Sequence, residues 1–427
     1  MSKDPIAIVD GVRTPFVKAR TVFHKTPPSA LGGATIREVI ARTAIDPSLI
    51  DEIFFGIVSA PAEGPNIARE ALFDSGMSPE IPCTTINRYC ASALEASASI
   101  AAKIDAGQIE IGIAGGVESI SSIRALFSQK ATDYFQNLMR ARTLGQRLGM
   151  LKQFKPAYLA PHAPGIKEPT TGLSMGQSAD LMARHFKVGR KEQDEYAVQS
   201  HHKAAKAWEN GFYQTHVIPV ATSEGKVIHQ DTDVRADTSY EKIAKLRPVF
   251  YKDGTISAAN SSPLTDGASA LLLMKESKAK ELGLKILGTI RSYANAAIDI
   301  KKEPLLIAPA YAIPKALEKA GMNWSDLDLV EVHEAFAAQV IATIRAIESK
   351  EFASEKLGLS SPIGKVNLDT LNIHGGSIPL GHPFGATGVR MILQALHGLQ
   401  VTGKNTALIS VCAAGGLGGV MIVEKNQ

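Results

Sequence analysis

The chain is poor in cysteine, with three in 427 residues: Cys83, Cys90 and Cys412. Three cannot build a disulfide framework, and no two have the spacing of a metal-binding pair. That suits a reducing compartment. Long apolar runs are missing as well. No stretch approaches the roughly 18 residues of a membrane-spanning helix, and no secretory or transit segment is recognisable ahead of the first strand. A cytoplasmic location is the expectation. Net charge is only +4, from 46 basic and 42 acidic side chains, which argues against charge-driven nucleic-acid binding by the whole chain. The 36 glycines and 22 prolines gather in no low-complexity tract. What remains is ordinary globular composition, 45% apolar and 21% charged, on a chain long enough for two or three domains with large cores.

One stretch organises the rest. Residues 81–86 read as a strand and 91–105 as a buried helix, with Gly107 as its stop signal. Cys90 sits between them. A helix N-terminus carries unpaired N–H groups and partial positive charge, so a thiol placed there is expected to titrate below its ordinary value. A buried, inert cysteine is the plainer reading of Cys90 taken alone.

Short apolar strands alternate with helices before and after this point. Residues 6–9, 50–58 and 109–114 read as strands, 34–43 and 66–76 as helices. Residues 121–245 break the rhythm and look like a long excursion. Alternation returns with strands at 268–274, 286–292, 327–332, 406–411 and 420–424, and helices at 308–320, 335–347 and 385–397. This pattern predicts an α/β fold with a doubly wound sheet. The halves also match each other. Cys90 precedes a helix expected to stop at Gly107, and His382 one expected to stop at Gly398. Each helix leads to a strand ending in a glycine pair, Gly115-Gly116 or Gly415-Gly416. Such a duplication would bring two helix N-termini together, and Cys90 and His382 into one site. Cys90, His333, His382 and Cys412 all fall at strand ends or helix starts, where α/β sheets build their sites. Singly, His333 is also readable as a satisfied core histidine and Cys412 as packing.

With these residues in place, the chain resembles the thiolase family. The matching segments are Asn87 to Ala93 around Cys90, Gly115-Gly116-Val117-Glu118-Ser119, Thr265-Asp266-Gly267-Ala268, His333-Glu334-Ala335-Phe336-Ala337, Gly381-His382-Pro383-Phe384-Gly385-Ala386-Thr387-Gly388, and Cys412 with its glycine-rich tail. The resemblance is nearest to the β-subunits of fatty-acid β-oxidation trifunctional complexes. His333 stands where most thiolases have Asn, and Asn372-Ile373-His374-Gly375-Gly376-Ser377 follows that subgroup. Two positions depart from the common thiolase pattern. A His-Met-Gly motif reads Ser174-Met175-Gly176, and one tail glycine is Ala414.

The resemblance implies a duplicated α/β/α/β/α layered fold with an inserted loop domain. Residues 1–120 plus 246–275 would form the N-terminal half, 121–245 the loop domain and 276–427 the C-terminal half. It implies thiolytic cleavage of 3-ketoacyl-CoA to acetyl-CoA and a shortened acyl-CoA. Cys90 would be the nucleophile, His382 its base, and Cys412 the second acid/base. His333 with His382 would line one oxyanion pocket, and the backbone N–H groups of Cys90 and Ala414 the other. Met175, Leu246, Phe250, Ala258, Ser262 and Phe336 would border coenzyme A, which is a substrate. Neither metal nor redox cofactor is implied. Expected partners are a second copy of the chain and an enoyl-CoA hydratase/3-hydroxyacyl-CoA dehydrogenase α-subunit. A short-chain acetoacetyl-CoA thiolase is the alternative enzyme, and a non-catalytic membrane or scaffold subunit the alternative of another class.

Residues 121–160 carry seven basic side chains (Arg124, Lys130, Arg140, Arg142, Arg147, Lys152, Lys155) against Asp133 alone. Tyr134, Leu138, Ala141, Leu148 and Leu151 recur at helical spacing. A basic amphipathic helix within 130–155 can lie on an anionic membrane or dock on a partner. A solvated cationic rim is the plainer alternative.

Overall fold

A computed structural model describes residues 4–161 and 167–426. Residues 1–3, 162–166 (within the expected loop domain) and 427 lie outside the described residues. Twelve strands are seen among the described residues: β1 Ile6–Arg13, β2 Val17–Lys18, β3 Glu52–Gly56, β4 Cys83–Ile86, β5 Ile111–Ser119, β6 Val220–Ala221, β7 Val227–Ile228, β8 Thr265–Lys275, β9 Gly288–Ala297, β10 Leu329–Val332, β11 Thr406–Ala413 and β12 Leu417–Lys425. The helices are α1 Pro28–Thr43, α2 Ile67–Ser75, α3 Ser92–Asp105, α4 Gln129–Arg140, α5 Leu144–Leu151, α6 Met175–His185, α7 Arg190–Glu209, α8 Tyr240–Ile243, α9 Glu276–Glu281, α10 Ala308–Ala320, α11 Ala337–Glu348, α12 Lys350–Leu357, α13 Ser377–Leu380 and α14 Thr387–Thr402.

Strand order makes the duplication visible. One half-sheet runs β4-β3-β5-β8-β1 and the other β10-β11-β12-β9. Leu371 bridges β10 in parallel, in the place that β4 holds beside β3. The pairing directions also repeat. β3/β5 and β10/β11 are parallel, while β5/β8, β8/β1, β11/β12 and β12/β9 are antiparallel. The sheet is therefore mixed rather than wholly parallel. β12 follows β11 after a turn of three residues, 414–416, and so short a link permits only the antiparallel pairing. The half-sheets join through β1 and β9 by three pairs, Ile6↔Ile290, Ala7↔Thr289 and Ile8↔Gly288.

Alternating side chains build the layers. On β8, Leu272 and Met274 face one core with α1 and α2, while Leu271 and Leu273 face another with α3 and α14. That second core also takes Ile409, Val411, Met421 and Val423 from the other half-sheet. Val330, Leu408, Val420 and Ile422 point outward to α10 and α11. The result is helix, sheet, helix, sheet, helix. In the middle layer α14 presses on α3 at Gly388, where a side chain would collide with the Leu94 backbone.

Some boundaries differ from the sequence expectation. α14 does not stop at Gly398 but runs to Thr402, and Gly403, at φ +68°, ends it. Gly398 is a close-packing residue beside Leu329 and His374. β5 does not end at its glycine pair but continues to Ser119. Gly116 lies inside the strand because a Cβ there would collide with the Gly385 carbonyl oxygen. The single amphipathic helix expected in 130–155 is two helices, α4 and α5. Thr143 caps the second by accepting from Gln146 N, and the Gln146 side chain accepts from Thr143 N in return.

The excursion between β5 and β8 is tied to the core by a buried ion pair. Arg13 donates to both Asp231 oxygens at 2.6 and 2.8 Å. Phe16 N and Trp208 Nε1 also donate to Asp231. No helix among the described residues is long and apolar enough to cross a membrane.

Candidate active site

Four segments from both halves supply the site. Cys90 lies in the tight link between β4 and α3. Arg88 N donates to Ser92 Oγ at 2.8 Å, and Ser92 Oγ–H donates to Tyr89 O at 2.6 Å. Tyr89 is held at φ +47°, a conformation costly for an aromatic residue and one that clusters at functional sites. His333 follows β10. His382 follows Gly381, whose φ of +100° requires glycine. Cys412 is on β11. His333, His382 and Cys412 are buried, while Cys90 is only partly so.

The structure brings three of them together. Cys90 Sγ and a ring nitrogen of each of His333 and His382 lie within 4.8 Å of one another. The two Nε2 atoms are 3.2 Å apart. Their other nitrogens meet hydroxyls: His333 Nδ1 is 2.9 Å from Ser377 Oγ, and His382 Nδ1 is 2.7 Å from Thr387 Oγ1.

Hydrogen-bond counting assigns the tautomers. Thr387 donates its proton to Pro383 O at 2.9 Å, so it accepts from His382 Nδ1–H. His382 Nε2 is left as a bare lone pair. Ser377 accepts from Arg390 Nη2 at 2.6 Å; the 3.2 Å contact of the two Nε2 atoms needs one proton that His382 does not hold there, so Ser377 gives its own proton to His333 Nδ1. His333 therefore carries its proton on Nε2 and points it at His382. One imidazole is built as a base and the other as a donor.

Electrostatics fix the resting charges. Burial, with the Glu118 charge acting the same way, pushes the Cys90 thiol up to about 12. The backbone N–H groups of Ala414 and Cys90 itself pull it down but do not prevail. The expected lowering of the Cys90 thiol is therefore corrected. α3 starts two residues later, at Ser92, and desolvation of the thiol outweighs the N–H groups that favour the thiolate. Burial, with Arg390 acting the same way, drives His382 down to about 3. His333 is lowered by burial, then by His382 and Arg390. Cys412 is raised by burial, then by Cys90. The resting site is thus a neutral thiol beside neutral imidazoles. A thiolate and an imidazolium formed together would stabilise each other.

The other expected residues divide into groups. Met175, Phe250 and Phe336 share one cluster, to which the Cys412 side chain also belongs. The Phe250 and Phe336 rings are 6.4 Å apart. Leu246 and Ala258 line a separate cavity of about 220 Å³ with Arg235 and His201. Ser262 is fixed through its backbone N–H on Ala335 O at 3.0 Å. Ala414 places its N–H on the Cys90 sulfur.

Sequence reasoning missed several supporting residues. Glu118 is fully buried and accepts from Val58, Ser59 and Gly385 N at 3.0, 2.9 and 3.0 Å. It thereby ties the Cys90 half to the His382 loop. Burial raises it to about 7. Glu168 accepts from Gly415 N at 2.9 Å and anchors the cysteine tail. Thr387 lies five residues after His382 within a quoted motif, so its role was within reach. Ser377 and Arg390 act on His333 only through the fold.

Known proteins match the chain along its whole length. Residues 6–277 match the family described as thiolase, N-terminal domain, and 284–425 that described as thiolase, C-terminal domain. A 3-ketoacyl-CoA thiolase of Serratia proteamaculans is 47% identical over 423 residues, covering 99% of this chain and 97% of the relative. One of Vibrio cholerae is 45% identical over 425 residues, covering 99% and 98%. The crystal structure of the Bacillus anthracis acetyl-CoA acetyltransferase superposes with a TM-score of 0.85 at 31% identity, covering 99% of each chain. With matching domains in both halves and relatives along its whole length, the chain belongs to the thiolase family.

Proposed function

We propose that the protein is a 3-ketoacyl-CoA thiolase acting through an acyl-enzyme on Cys90, in fatty-acid β-oxidation. The observation that carries this is the Cys90–His382–His333 cluster with its assigned tautomers. His382 Nε2 takes the Cys90 proton as sulfur attacks the 3-keto carbon. His333 Nε2–H donates to the CoA-thioester oxygen on which charge collects as the acetyl-CoA enolate forms, and His382, once protonated, donates beside it. The C2–C3 bond breaks, and Cys412, a protonated thiol at rest, gives its proton to the acetyl-CoA enolate. The Cys412 thiolate then deprotonates incoming CoA, whose sulfur attacks the Cys90 thioester; the shortened acyl-CoA is released as the Cys90 sulfur leaves and retakes its proton from His382. The backbone N–H groups of Cys90 and Ala414 hold the thioester oxygen. Met175, Phe250 and Phe336 border the pantetheine, Leu246 and Ala258 the nucleotide end, with Ser262 between. CoA is a substrate, and the chemistry as written uses no cofactor.

The test is a thiolysis series over C4 to C16 3-ketoacyl-CoA, with Cys90→Ala alongside. Cys90→Ala should form no acyl-enzyme by intact-mass spectrometry, and its turnover at the parent rate would refute the assignment. The structural likeness to an acetyl-CoA acetyltransferase favours a second reading, a short-chain acetoacetyl-CoA thiolase. Activity confined to C4 would select it.

Two kinds of partner belong to this reading. β4 ends its half-sheet, and its outer edge is where a second copy adds. The segment 126–159 suits an anionic membrane or a hydratase/dehydrogenase subunit. It exposes Met139 (78%), Leu144 (75%) and Leu151 (60%) among its basic residues. A cytoplasmic enzyme with peripheral membrane contact follows. Flotation with anionic vesicles should be lost in Met139→Ser/Leu144→Ser. Equal flotation of both proteins would leave the membrane role without support.

A further inference from the structure

We propose that Cys90, His333 and His382 also form a capture site for a thiophilic divalent cation, zinc above all, and that its occupancy silences the enzyme. The donor set is one sulfur and two imidazole nitrogens. That softness selects zinc over magnesium or calcium, and three protein ligands with an open fourth position is a common zinc arrangement. The spacing fits. Bonds of about 2.0–2.1 Å to a tetrahedral zinc place two nitrogens roughly 3.3 Å apart, and the two Nε2 atoms are 3.2 Å apart. A zinc–sulfur bond of about 2.3 Å asks for roughly 3.6 Å between sulfur and each nitrogen; the sulfur lies within 4.8 Å of a nitrogen on each ring, so rotation of the Cys90 side chain closes the remainder. No other trio of His, Cys, Asp or Glu among the described residues comes together in this way.

The surroundings are those of a metal site. Ligating histidines need their second nitrogen held by a partner. Here Ser377 holds His333 and Thr387 holds His382, at 2.9 and 2.7 Å. Cys90 is partly open to solvent, so an ion has a way in. His333 supplies the third ligand as an imidazole, and an amide oxygen in its place would be a much poorer zinc ligand.

The exchange balances without any oxidant or reductant. Zinc binds the Cys90 thiolate, and the thiol proton leaves to solvent. His333 moves its proton from Nε2 to Nδ1, where Ser377 Oγ turns to accept it. Both Nε2 lone pairs then face the metal. The nucleophile and its base are occupied together, so acylation stops until the metal leaves.

The test uses the full-length protein, metal-free and reduced, with cobalt(II) as probe. One equivalent of cobalt should give a thiolate-to-cobalt charge-transfer band and the d–d spectrum of a four-coordinate ion, and zinc should displace both. Cys90→Ser should abolish the charge-transfer band, and His333→Asn should weaken binding at least tenfold. The absence of a band, or a band that survives Cys90→Ser, overturns the proposal. A second readout needs no variant. Micromolar zinc should slow iodoacetamide labelling of Cys90, seen by peptide mass spectrometry, and a chelator should restore it; labelling unchanged by zinc is equally fatal. The proposal does not depend on thiolysis being the reaction. Cobalt binding by an enzyme without thiolase activity removes only the functional reading, and thiolysis without cobalt binding removes only this one.

Discussion

His333 and His382 present the same ring nitrogen to each other, and the hydroxyl behind each ring is what gives them different tasks. Thr387 matters because it can only accept from His382, its own proton being spent on Pro383 O. Thr387→Val keeps the shape and removes the acceptor, so the His382 proton is free to move to Nε2 and block the base. We expect acylation to slow by roughly 10- to 100-fold, the range for losing a partner that orients a histidine, with little change in KM. Single-turnover acyl-enzyme formation would show it, and a parent-like rate would remove Thr387 from the mechanism. The four reactive residues were legible in the sequence because motifs and strand ends mark them. Their protonation was not. The thiol was expected low and is high, because the desolvation that raises it comes from segments distant in the chain. Ser377 lies within a recognised segment, but its contact with His333, 44 residues away, has no local signature.

Glycines at the level of helices teach a similar lesson. Gly388 and Gly398 both lie in α14, and sequence alone made Gly398 the stop signal. In the fold Gly388 touches the Leu94 backbone, whereas a Cβ at Gly398 would sit 3.3 Å from a side-chain carbon of Leu329. Backbone cannot yield, and a flexible side chain can. Gly388→Ala should therefore destabilise by about 1–3 kcal/mol through overpacking. Gly398→Ala should be near neutral, since the gain of about 1 kcal/mol in helix propensity offsets a small adjustment of Leu329. Urea midpoints of the two variants would decide, and equal midpoints would contradict the packing described for the middle layer. The alternation of strands and helices was readable because each core strand is apolar on both faces. Strand order and the antiparallel members were not, since they depend on where the chain returns after the 120–264 excursion.

Across the whole molecule, buried titratable groups set an acid limit. His201, His374 and His397 are each lowered to about 4 and His382 to about 3, all chiefly by burial. His216 and His333 are lowered further in the same way. Below pH 6.5 the unfolded chain binds protons at these sites and the native fold does not, so stability falls as pH drops from 6.5 toward 4. Glu118, raised to about 7, and Glu331, raised to about 8, both chiefly by burial, act oppositely. They favour the fold at lower pH and lose that contribution as pH rises through 7 to 8. Six histidines outnumber the two glutamates even with Asp10, Asp233 and Asp266, which burial also raises, so the net slope between pH 6.5 and 4.5 should be positive with pH. Melting temperatures across that interval would test it. His397→Gln should flatten the slope, and a Tm that rises on acidification would contradict the balance drawn here.

The three-rung seam between β1 and β9 gives catalysis a place in the life of the chain. Cys90 belongs to the half that leaves the ribosome first, while its base and both hydroxyl-braced rings belong to the half that leaves last. Until the late half docks, the early thiol has no acceptor for its proton. A nascent or half-assembled molecule thus cannot run the His382-assisted acylation, which arrives only with completed folding.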